Sequence, residues 1–312
     1  MRKWNYDFDV PDQKKVRMIV YADAKNEADD QFAIAHHLMT PKFIVKGFAA
    51  GHFDLHCQEY GKGNTAEASR AEIEKVLDLM GLAGEYPVYT GAGTALTDEQ
   101  TPILSDAAKF IIEEAMRDDP HPLYIGCQGA ITDLASAIIA KPEICSRMTA
   151  IWIGGGNYPE GGEEFNLAND PVAANVLFKS EMPVWQVPKN TYKQMAVSLA
   201  ELQFNVKPRG RIGAYLVQQM IDFNNKTAWI PQWPHGEIWG LGDSPTIGLL
   251  LMEQERDDVY DMVPAPEIDV ETLKYIHTGS NRPIRVYKDA NARLTLADFY
   301  AKLALNYPEA DS

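Results

Sequence analysis

The sequence predicts one α/β domain over residues 1–312, with a core at about residues 16–305 and a mostly parallel central sheet flanked by helices. Short apolar runs alternate with helical patterns along most of the chain, which is typical of βα units around a parallel sheet. No internal repeat, low-complexity segment or linker divides the sequence. A chain of this length suits one large domain with a substantial core.

From about residue 16 onward, the predicted strands and helices largely alternate along the chain. Apolar runs predict seven strands, at residues 16–21, 43–50, 87–90, 123–126, 150–153, 184–187 and 284–287. Apolar residues at helical spacing predict helices at about residues 30–39, 65–80, 105–116, 132–140, 170–178 and 296–305. The helix at Asp170 has Pro171 in its first turn. Beyond Glu201 the pattern is less regular, and residues 229–245 predict a long ordered loop.

The charge balance and the cysteines limit the possible partners and the compartment. Lys and Arg number 29 against 44 Asp and Glu, and the net charge of −15 argues against nucleic acid or an anionic membrane surface as partner. A neutral, cationic or metal-bridged small molecule fits better. Cys57, Cys127 and Cys145 lack metal-type spacing and are expected to be thiols of an intracellular protein. Without an apolar signal region or a bilayer-length apolar run, we expect a cytoplasmic protein.

An acidic motif at residues 23–30, with the sequence DAKNEADD, directly follows the first predicted strand. Open α/β sheets bind ligands at the carboxyl ends of their strands. Crowding Asp23, Glu27, Asp29 and Asp30 into eight residues is costly unless a cation, a proton or hydrogen bonds compensate, and a hard divalent cation would do so. A solvated loop in which Asp29 or Asp30 caps the next helix is an equally good interpretation of this stretch. Lys25 complicates both interpretations.

Polar residues also follow three other strands. Three glycines precede Asn157, and Asn157, Glu164 and Asn166 offer the donors and acceptors that suit a polyhydroxylated ligand. The carbonyl of Gln128 could bind a hard cation, although a turn with Thr132 as helix cap is locally the better interpretation. Asp243 is either a ligand or the cap of the following helix. Asp170 is expected to cap its own helix.

Two histidines lie where they could meet a ligand. His52 follows the second strand, and His235 lies in the tryptophan-rich loop. A lone loop histidine is nevertheless more often structural than catalytic. The sequence contains no nucleophile elbow, phosphate-binding glycine loop or HExxH zinc pattern.

Together these strand ends resemble the inosine-uridine nucleoside hydrolase family. DAKNEADD at 23–30 resembles the family's opening DxDxxxDD motif, and EEFNLANDP at 163–171 closely resembles its EFN triplet before a DP-initiated helix. GAITDLA at 129–135 is similar to the family's GPLTNIA stretch, and PVYTGA at 87–92 is weakly similar. Gly242-Asp243 occupies the place of the family's HDP motif. The order of these motifs holds over about residues 16–305.

This resemblance implies a nucleoside hydrolase fold and calcium-assisted hydrolysis of an N-glycosidic bond between ribose and a base. In the family, a carboxylate of the first motif activates water, and calcium holds this water with two ribose hydroxyls. By position, the implied metal ligands are Asp23, Asp30, the Gln128 carbonyl and Asp243. The implied substrate-binding residues are Asp29, His52, Asn157, Glu164 and Asn166. The resemblance also implies a homodimer or a homotetramer.

The sequence departs from the family pattern at two positions. Lys25 stands where an ungapped alignment places the second aspartate, the family's metal ligand and presumed base; a two-residue gap would give that role to Asp23. The NExDD form resembles a divergent branch of nucleoside-hydrolase-like proteins. Gly242 stands at the place of the leaving-group histidine, so His235 or another residue would donate that proton, unless the leaving group needs none.

The leading hypothesis is therefore a ribonucleoside or ribosyl hydrolase that uses Asp23 or Asp29 as the water-activating residue and His235 as the acid. A sugar- or nucleoside-binding protein of the same fold, without turnover, is the alternative that Lys25 and Gly242 favour.

Overall fold

The computed structural model describes residues 4–308, which pack around one continuous eight-stranded sheet. Its strands are β1 (Val16–Ala22), β2 (Phe43–Ala50), β3 (Val88–Thr90), β4 (Leu123–Cys127), β5 (Met148–Ile153), β6 (Val184–Val187), β9 (Tyr260–Pro264) and β12 (Pro283–Tyr287). Two small antiparallel pairs complete the strands, namely β7 (Ala196–Ser198) with β8 (Ile238–Gly240), and β10 (Glu267–Ile268) with β11 (Tyr275–Ile276). The ends of the predicted domain, residues 1–3 and 309–312, lie outside the described residues.

Helices cover both faces of this sheet. They are α1 (Asp30–Leu38), α2 (Thr65–Leu79), α3 (Asp106–Ala115), α4 (Thr132–Ala140), α5 (Phe165–Asn169), α6 (Pro171–Lys179), α7 (Lys189–Tyr192), α8 (Leu199–Asn205), α9 (Gly210–Thr227), α10 (Pro245–Leu251) and α11 (Ala292–Asn306). Within residues 4–308, no helix combines the length and the apolar composition that crossing a membrane requires.

The strand order locates the crevice where a ligand would bind. The order is β3-β2-β1-β4-β5-β6-β12-β9, and every neighbouring pair is parallel except β12 with β9. The chain builds outward from β1 in one direction, and β4 then starts the other half on the opposite side of β1. This reversal between β1 and β4 is a topological switch point, where open α/β sheets bind ligands beyond the strand ends. Asp23 directly follows β1, and Gln128 directly follows β4.

The central strand β1 is buried on both faces, which explains its apolar run. Met18 and Val20 pack into one half of the core, whereas Ile19 and Tyr21 pack into the other. Alternate side chains of a strand point to opposite faces, so β1 supports a helical layer on each side. All residues of α1 are buried as well, and the site is therefore built on the most enclosed elements of the molecule.

The predicted α/β class with a mostly parallel sheet is confirmed, and each predicted strand and helix is present with small shifts at its ends. The prediction of one long loop at residues 229–245 was wrong in part. Ile238–Gly240 forms β8 on β7, and Trp233 and Trp239 pack on Phe223 with ring centroids 5.9 Å from it. Cys57, Cys127 and Cys145 are free thiols, and Cys57 is only partly buried.

Candidate active site

Three aspartates of the acidic motif are buried where β1 leads into α1. Asp23 and Asp30 are each 1% exposed, and Asp29 is 5% exposed. Asp29 occupies the cap position of α1, but its side chain makes no capping hydrogen bond. The interpretation of this motif as a solvated loop with a helix cap was therefore wrong.

Asp29 and Asp30 meet Asp243 from the other side of the switch point. One carboxylate oxygen from each of these three buried residues lies within 4.8 Å of the other two. Asp243 precedes α10, whose cap position is Ser244, so the interpretation of Asp243 as a helix cap was also wrong. Asp23, also predicted as a ligand, is not one of these three but lies close enough to Asp30 for its charge to raise the pKa of Asp30. We call Asp23, Glu27, Asp29, Asp30 and Asp243 the carboxylate cluster.

Burial and mutual repulsion disfavour the ionised form of the carboxylate cluster. Burial raises the pKa of Asp23, Asp30 and Asp243 well above the usual range, and repulsion by neighbouring carboxylates raises each pKa further. Burial also raises the pKa of Asp29, against hydrogen bonds that include the amides of Gly242 and Asp243. Asp23 Oδ2 and Asp30 Oδ1 are buried without a hydrogen-bond partner among the described residues. Buried hard oxygens of this kind fit a divalent cation.

Gln128 and Asn166 connect the ends of β4 and β5 beside the cluster. The Asn166 side-chain amide donates to the Gln128 carbonyl at 3.0 Å and to the Ile153 carbonyl at 2.8 Å. A carbonyl oxygen has two lone pairs, so this bond leaves Gln128 able to accept another partner. Gly129 must lack a side chain here, because a Cβ atom on it would lie 2.7 Å from Asp23 Cγ.

Glu164 caps α5 and at the same time faces the cluster. Its carboxylate accepts hydrogen bonds from the amides of Gly155, Asn166 and Leu167 at 2.9 to 3.1 Å. Burial nevertheless raises the pKa of Glu164, and its charge helps to raise the pKa of Asp23. This double role explains why local sequence left Glu164 and Asn166 undecided between a turn and a ligand site.

Among the described residues, Lys25 forms an ion pair with Glu72 and with no carboxylate of the cluster. Its Nζ lies 3.1 Å from Oε2 of Glu72, a buried residue of α2. The Lys25 side chain is 35% exposed and that of Glu72 is 4% exposed, so the pair joins a partly exposed ammonium group to a buried carboxylate. The Lys25 ammonium group is therefore paired with a carboxylate of α2.

The predicted residues His52, Asn157 and His235 lie outside the cluster. His52 is buried, and its Nε2 lies 2.7 Å from the Thr132 hydroxyl, which donates to Asp170 at 2.6 Å. Thr132 therefore does not cap α4, whose first residue it is, whereas Asp170 caps α6 as predicted. Asn157 is exposed, and its carbonyl accepts from the Gly161 amide. His235 is exposed between α9 and β8.

Two residues near the cluster had escaped assignment as site residues. Glu27 is partly buried, and burial together with the Asp29 charge raises its pKa well above the usual range. The Tyr192 hydroxyl donates to Glu164 Oε1 at 3.2 Å, and burial raises the pKa of Tyr192 well above its usual value. The acidic motif contained the signal for Glu27. Tyr192 had no such signal, because only the fold brings α7 to this strand end.

A protein-family model of the inosine-uridine preferring nucleoside hydrolases matches residues 22–297, which include every element of this site. The chain belongs to this family. Nucleoside hydrolases depend on a metal ion, and the buried aspartate trio could hold one. The resemblance of the strand-end motifs to this family is thereby confirmed.

Curated relatives in the nucleoside hydrolase family are distant. An inosine-uridine preferring nucleoside hydrolase of Leishmania major is 29% identical over 124 residues, which are 38% of this chain and only 39% of that relative. A pyrimidine-specific ribonucleoside hydrolase, RihA of Salmonella paratyphi A, is 25% identical over 243 residues, or 70% of this chain and 72% of that protein. The chain is thus a divergent nucleoside hydrolase family member.

Solved structures share the nucleoside hydrolase fold over nearly the whole chain. A purine-preferring ribonucleoside hydrolase from Gardnerella vaginalis superposes with a TM-score of 0.74 at 20% identity, covering 93% of this chain and 99% of the other. The plant nucleoside hydrolase PpNRh1 gives a TM-score of 0.73 at 17% identity, with 92% and 98% covered.

Proposed function

We propose that this protein hydrolyses the N-glycosidic bond of a ribonucleoside or a related ribosyl compound. The observation that carries the proposal is the buried aspartate trio at the switch point, with unpartnered carboxylate oxygens beside it. The three related hydrolases are named for different substrates: inosine and uridine, pyrimidine ribonucleosides, and purine ribonucleosides. The proposal therefore leaves the base open. A cytoplasmic location, a homo-oligomeric state and a small-molecule partner, with neither nucleic acid nor membrane, belong to the same proposal.

Calcium is the proposed cation, because the available donors are carboxylate and carbonyl oxygens. Asp30, Asp243, Asp23 and the Gln128 carbonyl would hold it, and Asp29 lies close enough to join them. When bound, such a cation supplies positive charge that favours ionised carboxylates and binds water and hydroxyl oxygens.

The protein's own carboxylates would carry the reaction. Asp23 or Asp29 would accept the proton of the attacking water, since the ionised carboxylate that the cation favours can act as a base. The clustered negative charge would stabilise the positive charge that develops on the ribose ring when the glycosidic bond breaks. Asp29 would also bind a ribose hydroxyl, as would Glu164 and Asn166.

The outer part of the substrate would meet residues of the rim. Asn157 would bind the sugar, and His52, whose Nε2 lies 2.7 Å from the Thr132 hydroxyl, would lie near the substrate. His235 would donate the proton to the departing base, because it lies in an exposed segment and Gly242 carries no donor. Proton donation to a leaving group is typically worth ~10²–10⁴ in rate.

The test is hydrolysis of a panel of purine and pyrimidine ribonucleosides by the purified protein, with calcium and with a chelator. We expect ribose release that the chelator abolishes. Asp30→Asn should lower turnover at least about 100-fold, since it removes a buried ligand. Asp106→Asn is the matched control, because Asp106 is a 73% exposed aspartate in the first turn of α3.

Failure to release ribose from any nucleoside, whether or not calcium is present, would refute the hydrolase. If a nucleoside nonetheless binds tightly and binds equally well to Asp30→Ala, the sugar-binding alternative is correct.

A further inference from the structure

The loop that carries the acidic motif is tied to α2 through one buried carboxylate. Glu72 is 4% exposed, and three groups from different elements reach it. Lys25 Nζ lies 3.1 Å from Oε2, the Gln31 side-chain amide donates to Oε1 at 3.2 Å, and the Tyr215 hydroxyl of α9 also donates to Oε1. A buried carboxylate with this many partners has a defined position.

Gln31 extends the same connection back to the loop. Its side-chain Nε2 also donates to the Ala24 carbonyl at 2.6 Å, and Ala24 follows Asp23 directly. The backbone amide of Asn26 donates to the Asp23 carbonyl at 2.8 Å. The loop between Asp23 and Asp29 is thus fastened at Ala24 and at Lys25.

We propose that the Lys25–Glu72 ion pair is a positioning device for the carboxylate cluster. By fastening the loop to α2, the pair holds Asp29 within the trio and keeps Asp23 and Glu27 beside it. Lys25 does not act as a substitute cation, because its ammonium group is paired with Glu72. This inference rests on the proposed function where it concerns calcium, but the fastening of the loop can be tested without it.

The two possible roles of Lys25 predict opposite effects on calcium affinity. If Lys25 neutralised the cluster, its removal would strengthen calcium binding, because a competing positive charge would be lost. If Lys25 positions the loop, its removal weakens calcium binding, because the ligands lose their arrangement. Loss of residues that orient metal ligands typically costs about 10- to 100-fold in metal affinity.

The experiment uses Lys25→Met, Glu72→Gln, the double variant and the conservative Lys25→Arg. Calorimetry with calcium alone measures affinity, and hydrogen–deuterium exchange of the peptide at residues 21–34 measures fastening without any cation. We expect each single variant to bind calcium at least about tenfold more weakly and to exchange about tenfold faster. The double variant should resemble Glu72→Gln alone, because both changes break the same pair. Lys25→Arg should stay close to the wild type.

Lys109→Met is the matched control. Lys109 is an exposed lysine of α3, and its Nζ lies 3.4 Å from the Asp106 carboxylate. This variant removes a lysine charge and its ion pair without touching Glu72 or its partners, so its calcium affinity and exchange should equal those of the wild type. Thermal unfolding confirms that each variant is folded.

Tighter calcium binding by Lys25→Met, or unchanged exchange in both single variants, would overturn the inference. If the wild type binds no calcium, the proposed cation is wrong, and the exchange rates alone then decide whether the ion pair fastens the loop. The wild type and both single variants could instead bind calcium and hydrolyse nucleosides equally well. That result would leave the proposed function intact and remove the positioning role.

Discussion

Gly242 leaves room for Tyr192 at the edge of the carboxylate cluster. A Cβ atom at position 242 would lie 3.1 Å from Tyr192 Cδ2 and 3.4 Å from Asp29 Oδ2. Tyr192 in turn bonds to Glu164. A larger side chain at position 242 would therefore press on both the tyrosine and a carboxylate of the trio.

For this reason Gly242→His should not gain activity, although it introduces a proton donor. We expect turnover to fall and the free energy of unfolding to drop by about 1–3 kcal/mol, the usual cost of overpacking. Steady-state kinetics and chemical denaturation measure the two effects. Gly240→Ala is the control, because a Cβ atom there meets nothing within 4 Å. Higher turnover with undiminished stability in Gly242→His would contradict the crowding by Tyr192.

For single residues, the sequence could predict a place in the site only where the residue belongs to a short polar motif. Asp29, Asp30, Glu164 and Asn166 belong to short motifs at strand ends, and they lie where the motifs predict. Tyr192 and Glu72 meet the site only through tertiary packing, so no local pattern could reveal them. The ion-pair partner of Lys25 is Glu72 of α2, 47 positions along the chain, so the acidic motif alone could not predict it.

The helix α1 carries two adjacent histidines in a fully buried position. His36 Nε2 lies 2.7 Å from Asp298 Oδ2, and His37 Nδ1 lies 2.9 Å from the Ala33 carbonyl. Burial lowers the pKa of His36 to about 4 and that of His37 to about 3. Both rings are therefore neutral in the folded protein at any pH near neutrality.

These histidines should weaken the fold in mild acid. Below pH ~6.5 the unfolded chain takes up protons on His37 that the folded chain excludes, so the free energy of unfolding falls as the pH falls. We expect His37→Phe to reduce this loss by roughly 1.5–2 kcal/mol between pH 6.5 and pH 5. Urea denaturation across that range measures it. His277→Phe, at an exposed position, should keep the wild-type slope; equal slopes in both variants would be evidence against the mechanism.

Among the strands, those with continuous apolar runs were predictable, as was the short edge strand β3, whereas β7 to β11 were not. β1 and β4 are continuous apolar runs, so their pattern identifies them. β9 is an antiparallel edge strand with Asp261 and Met262 exposed, and its sequence lacks a buried run. β7 and β8 have three residues each, and α8 and α9 separate them along the chain, so only the fold shows that they pair.

On the scale of the whole molecule, the fold concentrates repelling charge among buried residues at the switch point. The strand order places the ends of β1 and β4 at the switch point, and α1 and α10 add their first turns there. Sequence motifs could indicate that each strand end was polar. Their convergence follows from the strand order, which only the assembled sheet shows. The resulting carboxylate cluster costs folding free energy whenever no cation is bound.

This cost predicts that the same buried aspartates lower the stability of the cation-free protein and provide its cation binding. Calcium at 100 times its dissociation constant should raise the free energy of unfolding by about 2.7 kcal/mol, because it binds the folded chain alone. Asp243→Asn should make the cation-free protein more stable than the wild type, since it removes a buried repelling charge, and should abolish the response to calcium. Differential scanning calorimetry with calcium and with chelator measures both effects. Asp106→Asn should behave as the wild type in both conditions. A cation-free Asp243→Asn less stable than the wild type would show that the aspartates are compensated within the protein itself, and the argument for a cation would then lose its physical basis.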